Sequence, residues 1–309
     1  MTVTYDDVVK ARETQSKVIR KTTLEFSETF SKICGAKIYL KNEYEQKTGS
    51  FKIRGAYYKI KSLTDEEKSN GVVAASAGNH SQGVAFASHI ENIPCTIVMP
   101  KTASPAKVSA TKGYGAKVVL EGSTYDESWA HAQKISSETN ATIIHAFDDS
   151  HVIAGQGVIG LEIIEQLPNV DEIYVPIGGG GLVAGIITAV KEKNPNVKII
   201  GVESSAYPAM KKSLENNTLE TVSGDTTIAD GISVKTPGKL TFDIVKQKID
   251  KIVTVDDRDI INAMFLLMER SKAVVEPAGA VALAYLLKNK PESGKTVVPI
   301  LCGGNIDMY

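Results

Sequence analysis

Lys52 is the residue whose neighbours most favour chemistry at a side-chain amine. It lies within Thr48-Gly-Ser-Phe-Lys-Ile-Arg-Gly-Ala56, at the head of a helix predicted to run toward Lys61. Residues 48–50 can offer backbone N–H groups and hydroxyls to an anion such as phosphate at that helix start. The positive helix end and Arg54 favour loss of the lysine's proton, and a neutral amine can attack a carbonyl. Lys52 is therefore a candidate for a Schiff base, although most of the 35 Lys and Arg residues are expected to be ordinary surface residues.

A run of four glycines, Gly178 to Gly181, is the second candidate site. It follows a predicted strand and precedes a predicted helix, Leu182–Lys193, so its backbone amides can approach an anion without interference from side chains. The run lacks the Lys-Ser/Thr ending of a P-loop and the spacing of a dinucleotide-binding glycine motif. A phosphate site and a simple strand-to-helix turn are both compatible with this pattern alone.

Apolar β-rich runs alternate with helical patterns along most of the chain, which predicts parallel sheets of α/β type with helices on both faces. Binding sites are then expected at the carboxyl ends of the strands. The predicted helices include His80–His89, Pro105–Gly113, Thr124–Thr139, Gly157–Leu167 and Leu283–Lys290. The predicted strands are Lys37–Lys41, Gly71–Ala75, Cys95–Met99, Lys117–Leu120, Thr142–His145, Glu172–Pro176, Lys198–Val202, Lys251–Val255 and Thr296–Leu301.

The stretch Lys41–Tyr57 resembles the cofactor-lysine segment of the fold-type II pyridoxal 5′-phosphate (PLP) enzymes, within the threonine dehydratase and serine racemase branch. The resemblance continues through five further motifs in the same order along the chain. These are Ser76-Ala-Gly-Asn-His80, Val152-Ile-Ala-Gly-Gln-Gly157, Pro176-Ile-Gly-Gly-Gly-Gly-Leu182, Ala229-Asp-Gly231 and Cys302-Gly-Gly-Asn305.

The resemblance implies a tryptophan synthase β-subunit-like fold of two domains, each with a mostly parallel twisted sheet flanked by helices. Residues 1–47 and 146–309 would form a large cofactor-binding domain, and residues 48–145 a small substrate-clamping domain. Relatives are homodimers or homotetramers, and this chain is expected to form one of these assemblies.

The resemblance also implies a role for each site residue. Lys52 would carry the PLP cofactor and then remove the substrate's α-proton. The substrate carboxylate would bind to Ser76, Ala77, Gly78, Asn79 and His80, where His80 is expected to orient the substrate or support the fold. The cofactor would contact Phe51 at its ring face, Asn79 at its 3′-oxygen, Cys302 at its pyridine nitrogen, and Gly178, Gly179, Gly180, Gly181 and Leu182 at its phosphate.

The reaction expected from these residues is β-elimination of L-threonine, and of L-serine, to 2-oxobutanoate or pyruvate plus ammonia. The Cys302 thiol can donate a weak hydrogen bond to a neutral nitrogen but cannot hold it protonated, which makes the cofactor a moderate electron sink suited to elimination. Racemases of this branch carry a second acid/base serine where this chain has Ala77. A serine racemase, another β-replacing enzyme, and a catalytically silent binding protein remain as alternatives.

No metal ion is expected, because Glu203 matches one cation ligand of some relatives but Ala209 replaces a later one. A net charge of −1 and a pI near 6.5 give no electrostatic basis for binding nucleic acid or a membrane.

Cys34, Cys95 and Cys302 lack disulfide or zinc spacing, and the N-terminus lacks a secretion signal, so a cytoplasmic location is expected. The chain ends four residues after Asn305, which favours the short catabolic enzymes, some of which are activated by AMP.

Overall fold

Two β-sheets organise the chain, and each is covered by helices. A computed structural model describes residues 2–306, so the end of the chain at Tyr309 lies outside the described residues. The strands are β1 Leu24–Phe26, β2 Lys37–Asn42, β3 Val72–Ala75, β4 Cys95–Met99, β5 Lys117–Leu120, β6 Thr142–Ile143, β7 Glu172–Pro176, β8 Lys198–Ser204, β9 Lys251–Val255 and β10 Thr296–Leu301. The helices are α1 Tyr5–Gln15, α2 Glu28–Cys34, α3 Lys52–Lys61, α4 Asp65–Asn70, α5 Asn79–Ile90, α6 Pro105–Gly113, α7 Tyr125–Thr139, α8 Ser150–Gln166, α9 Gly181–Lys193, α10 Ala209–Glu215, α11 Lys239–Lys248, α12 Asp257–Leu266 and α13 Pro277–Lys288.

The larger sheet has six strands in the order β1-β2-β10-β7-β8-β9. Neighbouring strands among β2, β10, β7, β8 and β9 pair in parallel. At the edge of the sheet, β1 pairs with β2 in antiparallel orientation. Along β7, Ile173 and Val175 pack into a core with α8 and α9, whereas Tyr174 packs into the core that contains α13. The alternation of side chains across a strand therefore buries both faces of this sheet, as expected for parallel strands.

The smaller sheet has four parallel strands in the order β5-β4-β3-β6. On β3, Val72 and Ala74 pack with residues of α3 and α5, while Val73 and Ala75 pack on the other face with α7. This sheet is also buried on both faces. The predicted α/β class with two mostly parallel sheets is confirmed.

Several predicted boundaries are wrong, and local hydrogen bonds explain two of them. Helix α8 begins at Ser150 rather than at Gly157, because the Asp149 carboxylate accepts hydrogen bonds from the first backbone N–H groups of the helix. Strand β6 stops at Ile143, because the His145 ring accepts from two following backbone N–H groups and turns the chain. Helix α13 begins at Pro277, well before the predicted start, since proline is well suited to the first helical turn. The short strand β1 was not predicted.

Helix α8 approaches its neighbours closely because glycines face them. A Cβ atom at Gly155 would lie 2.7 Å from the Arg54 carbonyl oxygen of α3, and one at Gly157 would lie 2.7 Å from the Gly185 carbonyl oxygen of α9. At Gly160 an added Cβ would lie 3.0 Å from Val190. These glycines bring α8 against both the helix that carries Lys52 and the helix that follows the glycine run.

A buried charge cluster of Arg54, Glu43, Glu162 and Lys41 fixes the first turn of α3. The Arg54 guanidinium binds Glu43 and Glu162 through N–O distances of 2.8 Å, and the Lys41 ammonium lies 2.6 Å from Glu162. All four side chains are buried, and the two positive and two negative charges balance. Because Arg54 is two residues beyond Lys52, the cluster ties the candidate lysine to β2 and α8.

Candidate active site

A cavity of about 700 Å³ lies where the residues that follow β3, β7 and β10 come together. Its volume is typical of a small-molecule site, and its position at the carboxyl ends of the strands is where an open α/β sheet binds ligands. Every site residue predicted from the sequence lines this cavity: Phe51, Lys52, Ser76, Ala77, Gly78, Asn79, His80, Gly178, Gly179, Gly180, Gly181, Leu182 and Cys302.

Lys52 is the first residue of α3 and is half-buried in the cavity wall. Its Nζ donates a hydrogen bond of 3.1 Å to the Ala146 carbonyl oxygen and lies 5.2 Å from the centre of the Phe51 ring. Burial lowers the pKa of Lys52 to about 8, although the neighbouring acids Cys302 and Glu276 act in the opposite direction. A much larger fraction of this amine than of a free lysine is therefore unprotonated and nucleophilic near neutral pH.

We expect Lys52 in the cofactor-free protein to be acylated at lower pH than an exposed lysine. Brief exposure to acetic anhydride across a pH series, followed by peptide mass spectrometry, should give a reaction midpoint near pH 8 for Lys52. The exposed Lys61 on the same helix serves as the internal reference. A Lys52 midpoint near the value of about 10.4 that free lysines have would contradict the lowered pKa.

The glycine run is held by tight packing. Gly180 has a φ of +96°, and a Cβ there would lie 2.7 Å from Met210 and 2.9 Å from Thr241. The Phe147 ring leaves no room for a Cβ at Gly179, whose carbonyl accepts a hydrogen bond of 2.7 Å from the Thr241 hydroxyl. Helix α9 begins at Gly181, so the N–H groups of its first turn have no acceptor within the helix. This arrangement provides a site for an anion at the cavity wall.

The loop Ser76–Gly78 leads from β3 into α5, whose first turn provides a second set of unpaired backbone N–H groups. The Ser76 hydroxyl accepts a hydrogen bond of 3.2 Å from the Gly78 N–H, which fixes the loop. His80 is buried and donates through Nε2 to the Ile144 carbonyl at 2.8 Å. Burial, followed by the charge of Lys52, lowers the pKa of His80 to about 3. His80 is therefore neutral near pH 7 and holds the first turn of α5 in place.

Cys302 follows β10 and is buried at the cavity wall. Burial raises its pKa well above the usual thiol range, with a further contribution from Glu276. The Sγ atom donates to the Ala278 carbonyl over 3.5 Å. The side chain thus remains a neutral thiol, and its donor capacity is weak.

Reasoning from the sequence missed Glu276, which also lines the cavity. Its carboxylate accepts hydrogen bonds from Asn79 Nδ2 at 2.6 Å and from the Asn305 backbone N–H at 3.2 Å. Burial raises the pKa of Glu276 to about 7. The only sequence signal is an acid directly before Pro277, which is equally typical of an ordinary helix start.

An aromatic wall of Trp129, His145 and Phe147 was also missed. The Trp129 and His145 rings meet edge to face at 5.3 Å, and the His145 and Phe147 rings do so at 4.6 Å. All three residues line the cavity. They come from α7 and from the segment after β6, and no spacing in the sequence indicates that they meet.

The anion site expected at residues 48–50 is wrong. Ser50 is fully buried and forms a β-bridge with Gly303, and residues 48–50 do not line the cavity. Hydrogen bonds to Asn305 and Gly304 hold this segment away from the cavity, and α3 begins only at Lys52. The glycine run after β7 does line the cavity, and it remains the candidate phosphate site.

Glu203, considered above as a possible cation ligand, instead supports α10. Its carboxylate accepts hydrogen bonds from the backbone N–H groups of Met210 at 2.8 Å and Lys211 at 3.0 Å. Within residues 2–306 no group of three or more His, Cys, Asp or Glu residues is arranged to hold a metal ion. In the same range no helix is long and apolar enough to cross a membrane.

Comparisons with known proteins identify the family. The family model described as pyridoxal-phosphate dependent enzyme matches residues 15–303. The chain is 49% identical over 306 residues to the L-threonine ammonia-lyase of Thermotoga maritima, covering 99% of this chain and 76% of that protein. It is 45% identical over 311 residues to the catabolic L-threonine dehydratase of Staphylococcus aureus, covering 99% of this chain and 90% of that protein. The structure of maize serine racemase superposes with a TM-score of 0.96 at 35% identity, covering 100% of this chain and 95% of that chain. The chain belongs to the family of pyridoxal-phosphate-dependent enzymes, and PLP is its cofactor.

Proposed function

We propose that this chain catalyses the PLP-dependent β-elimination of L-threonine, and of L-serine, to 2-oxobutanoate or pyruvate plus ammonia. The observation that carries the proposal is that Lys52, with its lowered pKa, shares one cavity with the anion site of Gly178–Gly181. The names of the Thermotoga and Staphylococcus relatives support threonine as the substrate.

The donors around the cavity fit PLP. An aldehyde reacts with an unprotonated amine, and the lowered pKa of Lys52 favours that form. A phosphate needs converging N–H groups without side chains, and the close packing at Gly179 and Gly180 excludes a side chain at these two positions. We propose that Lys52 carries the cofactor, that Gly178–Leu182 bind its phosphate, and that Phe51, Asn79 and Cys302 contact its ring.

When bound, PLP supplies an electron-withdrawing ring that stabilises negative charge at the substrate's α-carbon. The first turn of α5, with Ser76–His80, is positioned to bind the substrate carboxylate through backbone N–H groups. The Nζ atom of Lys52, once free, accepts the α-proton, and its lowered pKa favours this role near neutral pH. Departure of the β-hydroxyl and subsequent hydrolysis then give the oxoacid and ammonia.

Ala77 supports elimination over racemisation. A racemase needs a second group that returns a proton to the opposite face of the substrate, and the methyl side chain of Ala77 in the cavity wall cannot do so.

The test is an assay of the purified protein with PLP. Incubation with L-threonine should release 2-oxobutanoate and ammonia in equal amounts, and incubation with L-serine should release pyruvate with little D-serine by chiral chromatography. Abundant D-serine with little pyruvate would favour the racemase alternative. Absence of any oxoacid from protein that holds one PLP per chain would refute the elimination.

We further propose two domains with the boundaries given above, a homo-oligomeric assembly and a cytoplasmic location. The use of residues 72–143 for a separate sheet supports the small domain of residues 48–145.

Self-association is supported by exposed apolar side chains along α12 and the turn after it, at Ile261, Phe265 and Met268. Light scattering that gives the mass of a single chain would contradict the assembly.

A nucleotide effector is a separate proposal. Adding AMP to the threonine assay tests whether a nucleotide activates the enzyme.

A further inference from the structure

Glu276 is a buried acid at the cavity wall for which the proposed reaction has assigned no role. It is 5% exposed, and its carboxylate faces amide donors: Asn79 Nδ2 at 2.6 Å and the Asn305 N–H at 3.2 Å. A buried carboxyl group has a high desolvation cost, so its retention here requires a physical reason.

The hydrogen bonds around Glu276 form a chain with one possible direction. Asn305 Nδ2 donates to the Thr48 carbonyl and to Asn79 Oδ1, both at 2.7 Å, so both of its hydrogens are used. Asn79 must therefore accept through Oδ1 and donate through Nδ2. Glu276 accepts at the far end, from Asn79 Nδ2 through one carboxyl oxygen and from the Asn305 N–H through the other.

This chain determines which way the Asn79 carboxamide faces. An asparagine side chain can rotate by half a turn and exchange its donor for its acceptor, at little cost in shape. That rotation would place Asn79 Nδ2 against Asn305 Nδ2, which is also a donor. It would place Asn79 Oδ1 against the Glu276 carboxylate, which is also an acceptor. One N–H of Asn79 Nδ2 is used by Glu276, and the second is left for a ligand in the cavity.

The backbone at Gly303 packs closely against the Glu276 and Asn79 side chains. The Glu276 N–H donates to the Gly303 carbonyl at 3.0 Å, and a Cβ at Gly303 would lie 3.1 Å from Asn79 Nδ2 and collide with Glu276. Gly303 thus allows three segments, those at residues 79, 276 and 305, to meet. The glycine after Cys302 is explained by this close approach.

We propose that Glu276 is a positioning residue that, together with Asn305, holds the Asn79 carboxamide with an N–H directed to the anionic ring oxygen of the bound cofactor. This inference rests on the proposed function, because Asn79 is there the contact of that oxygen. If the Asn79 carboxamide were rotated by half a turn, its Oδ1 atom would face the anionic ring oxygen of the cofactor. The partial negative charge of Oδ1 and the charge of the ring oxygen would then repel each other.

The test is a double-mutant cycle of Glu276→Gln and Asn79→Ala, read by the dissociation constant of PLP and the visible absorption maximum of the bound cofactor. Glutamine preserves size but cannot accept from both Asn79 and Asn305. We expect each single variant to weaken PLP binding by about tenfold and to shift the absorption maximum. In the Asn79→Ala background, Glu276→Gln should have no further effect, because residues that act through one another are not additive.

Glu203→Gln is the matched control. Glu203 is also buried with a pKa raised to about 7 and accepts two backbone hydrogen bonds, but it does not line the cavity. This variant should alter the melting temperature of the protein and leave the dissociation constant of PLP unchanged. Asn305→Ala breaks the chain at its other end and should reproduce the spectral shift, which keeps the test valid if Glu276→Gln does not fold.

Additive effects of Glu276→Gln and Asn79→Ala would overturn the inference, as would a lowered melting temperature with unchanged PLP affinity and spectrum. These outcomes can be distinguished from failure of the proposed reaction. PLP affinity and the spectrum are measured without amino-acid substrate, so an enzyme inactive on threonine would still report on Glu276.

Discussion

Replacing Lys52 by alanine should lower the turnover of L-threonine by at least about 1,000-fold, since it removes both the proposed covalent attachment and the proposed base. The amine lines the same cavity as the glycine run, and burial has already lowered its pKa to about 8. The variant should also fail to retain PLP after borohydride reduction, whereas the wild-type protein should yield one modified peptide that contains Lys52. Oxoacid release and peptide mass spectrometry measure the two effects.

Two control variants separate chemistry from charge and from folding. Lys61→Ala removes a lysine from the same helix, one whose side chain is 46% exposed, and should leave turnover near the wild-type value. Lys52→Arg keeps a positive charge but offers no neutral amine, so it should be as inactive as the alanine variant. Turnover by Lys52→Ala above a tenth of the wild-type value would contradict the assigned role.

Replacing Arg54 by methionine should lower the free energy of unfolding by about 3–5 kcal/mol, as expected when one partner of a buried ion pair is removed. The change leaves Glu43 and Glu162 in the buried charge cluster with Lys41 as their remaining cation. Urea unfolding of the cofactor-free protein measures the loss. Arg12→Ala, which breaks an exposed pair with Glu165, should cost no more than about 1 kcal/mol.

The pH dependence of this loss has a defined sign. Burial by itself raises the pKa of Glu43, but the charge and hydrogen bonds of Arg54 lower it below its usual value. A folded-state pKa below the unfolded value stabilises the protein at neutral pH, and the stabilisation is lost as the pH falls through the folded value. The difference in stability between wild type and Arg54→Met should therefore shrink in acid. A difference that grows below pH 4 would contradict the ion-pair explanation.

Much of the site was predictable because its residues follow strands. The Ser76–His80 loop, the glycine run and Cys302 come directly after β3, β7 and β10, and parallel strands bring their carboxyl ends to one edge. Glu276 was not predictable, because its partner Asn79 lies far away in sequence and the acid itself resembles a helix start. The role given to residues 48–50 failed because backbone contacts to residues 304 and 305, invisible in a local pattern, hold that segment away from the cavity.

The glycines of α8 have a consequence for how such sequences are interpreted. Gly155, Gly157 and Gly160 have the Gly-x-Gly-x-x-Gly spacing that motif searches associate with dinucleotide binding. Here the spacing lies inside a helix, and each glycine faces a neighbouring helix: a Cβ would collide with backbone atoms at Gly155 and Gly157 and would make a tight contact with Val190 at Gly160. After a strand, glycines at this spacing let the backbone approach a pyrophosphate closely. Within a helix, the same spacing lets a neighbouring helix approach closely. A search that ignored secondary structure would therefore assign a nucleotide to the interior of the hydrophobic core.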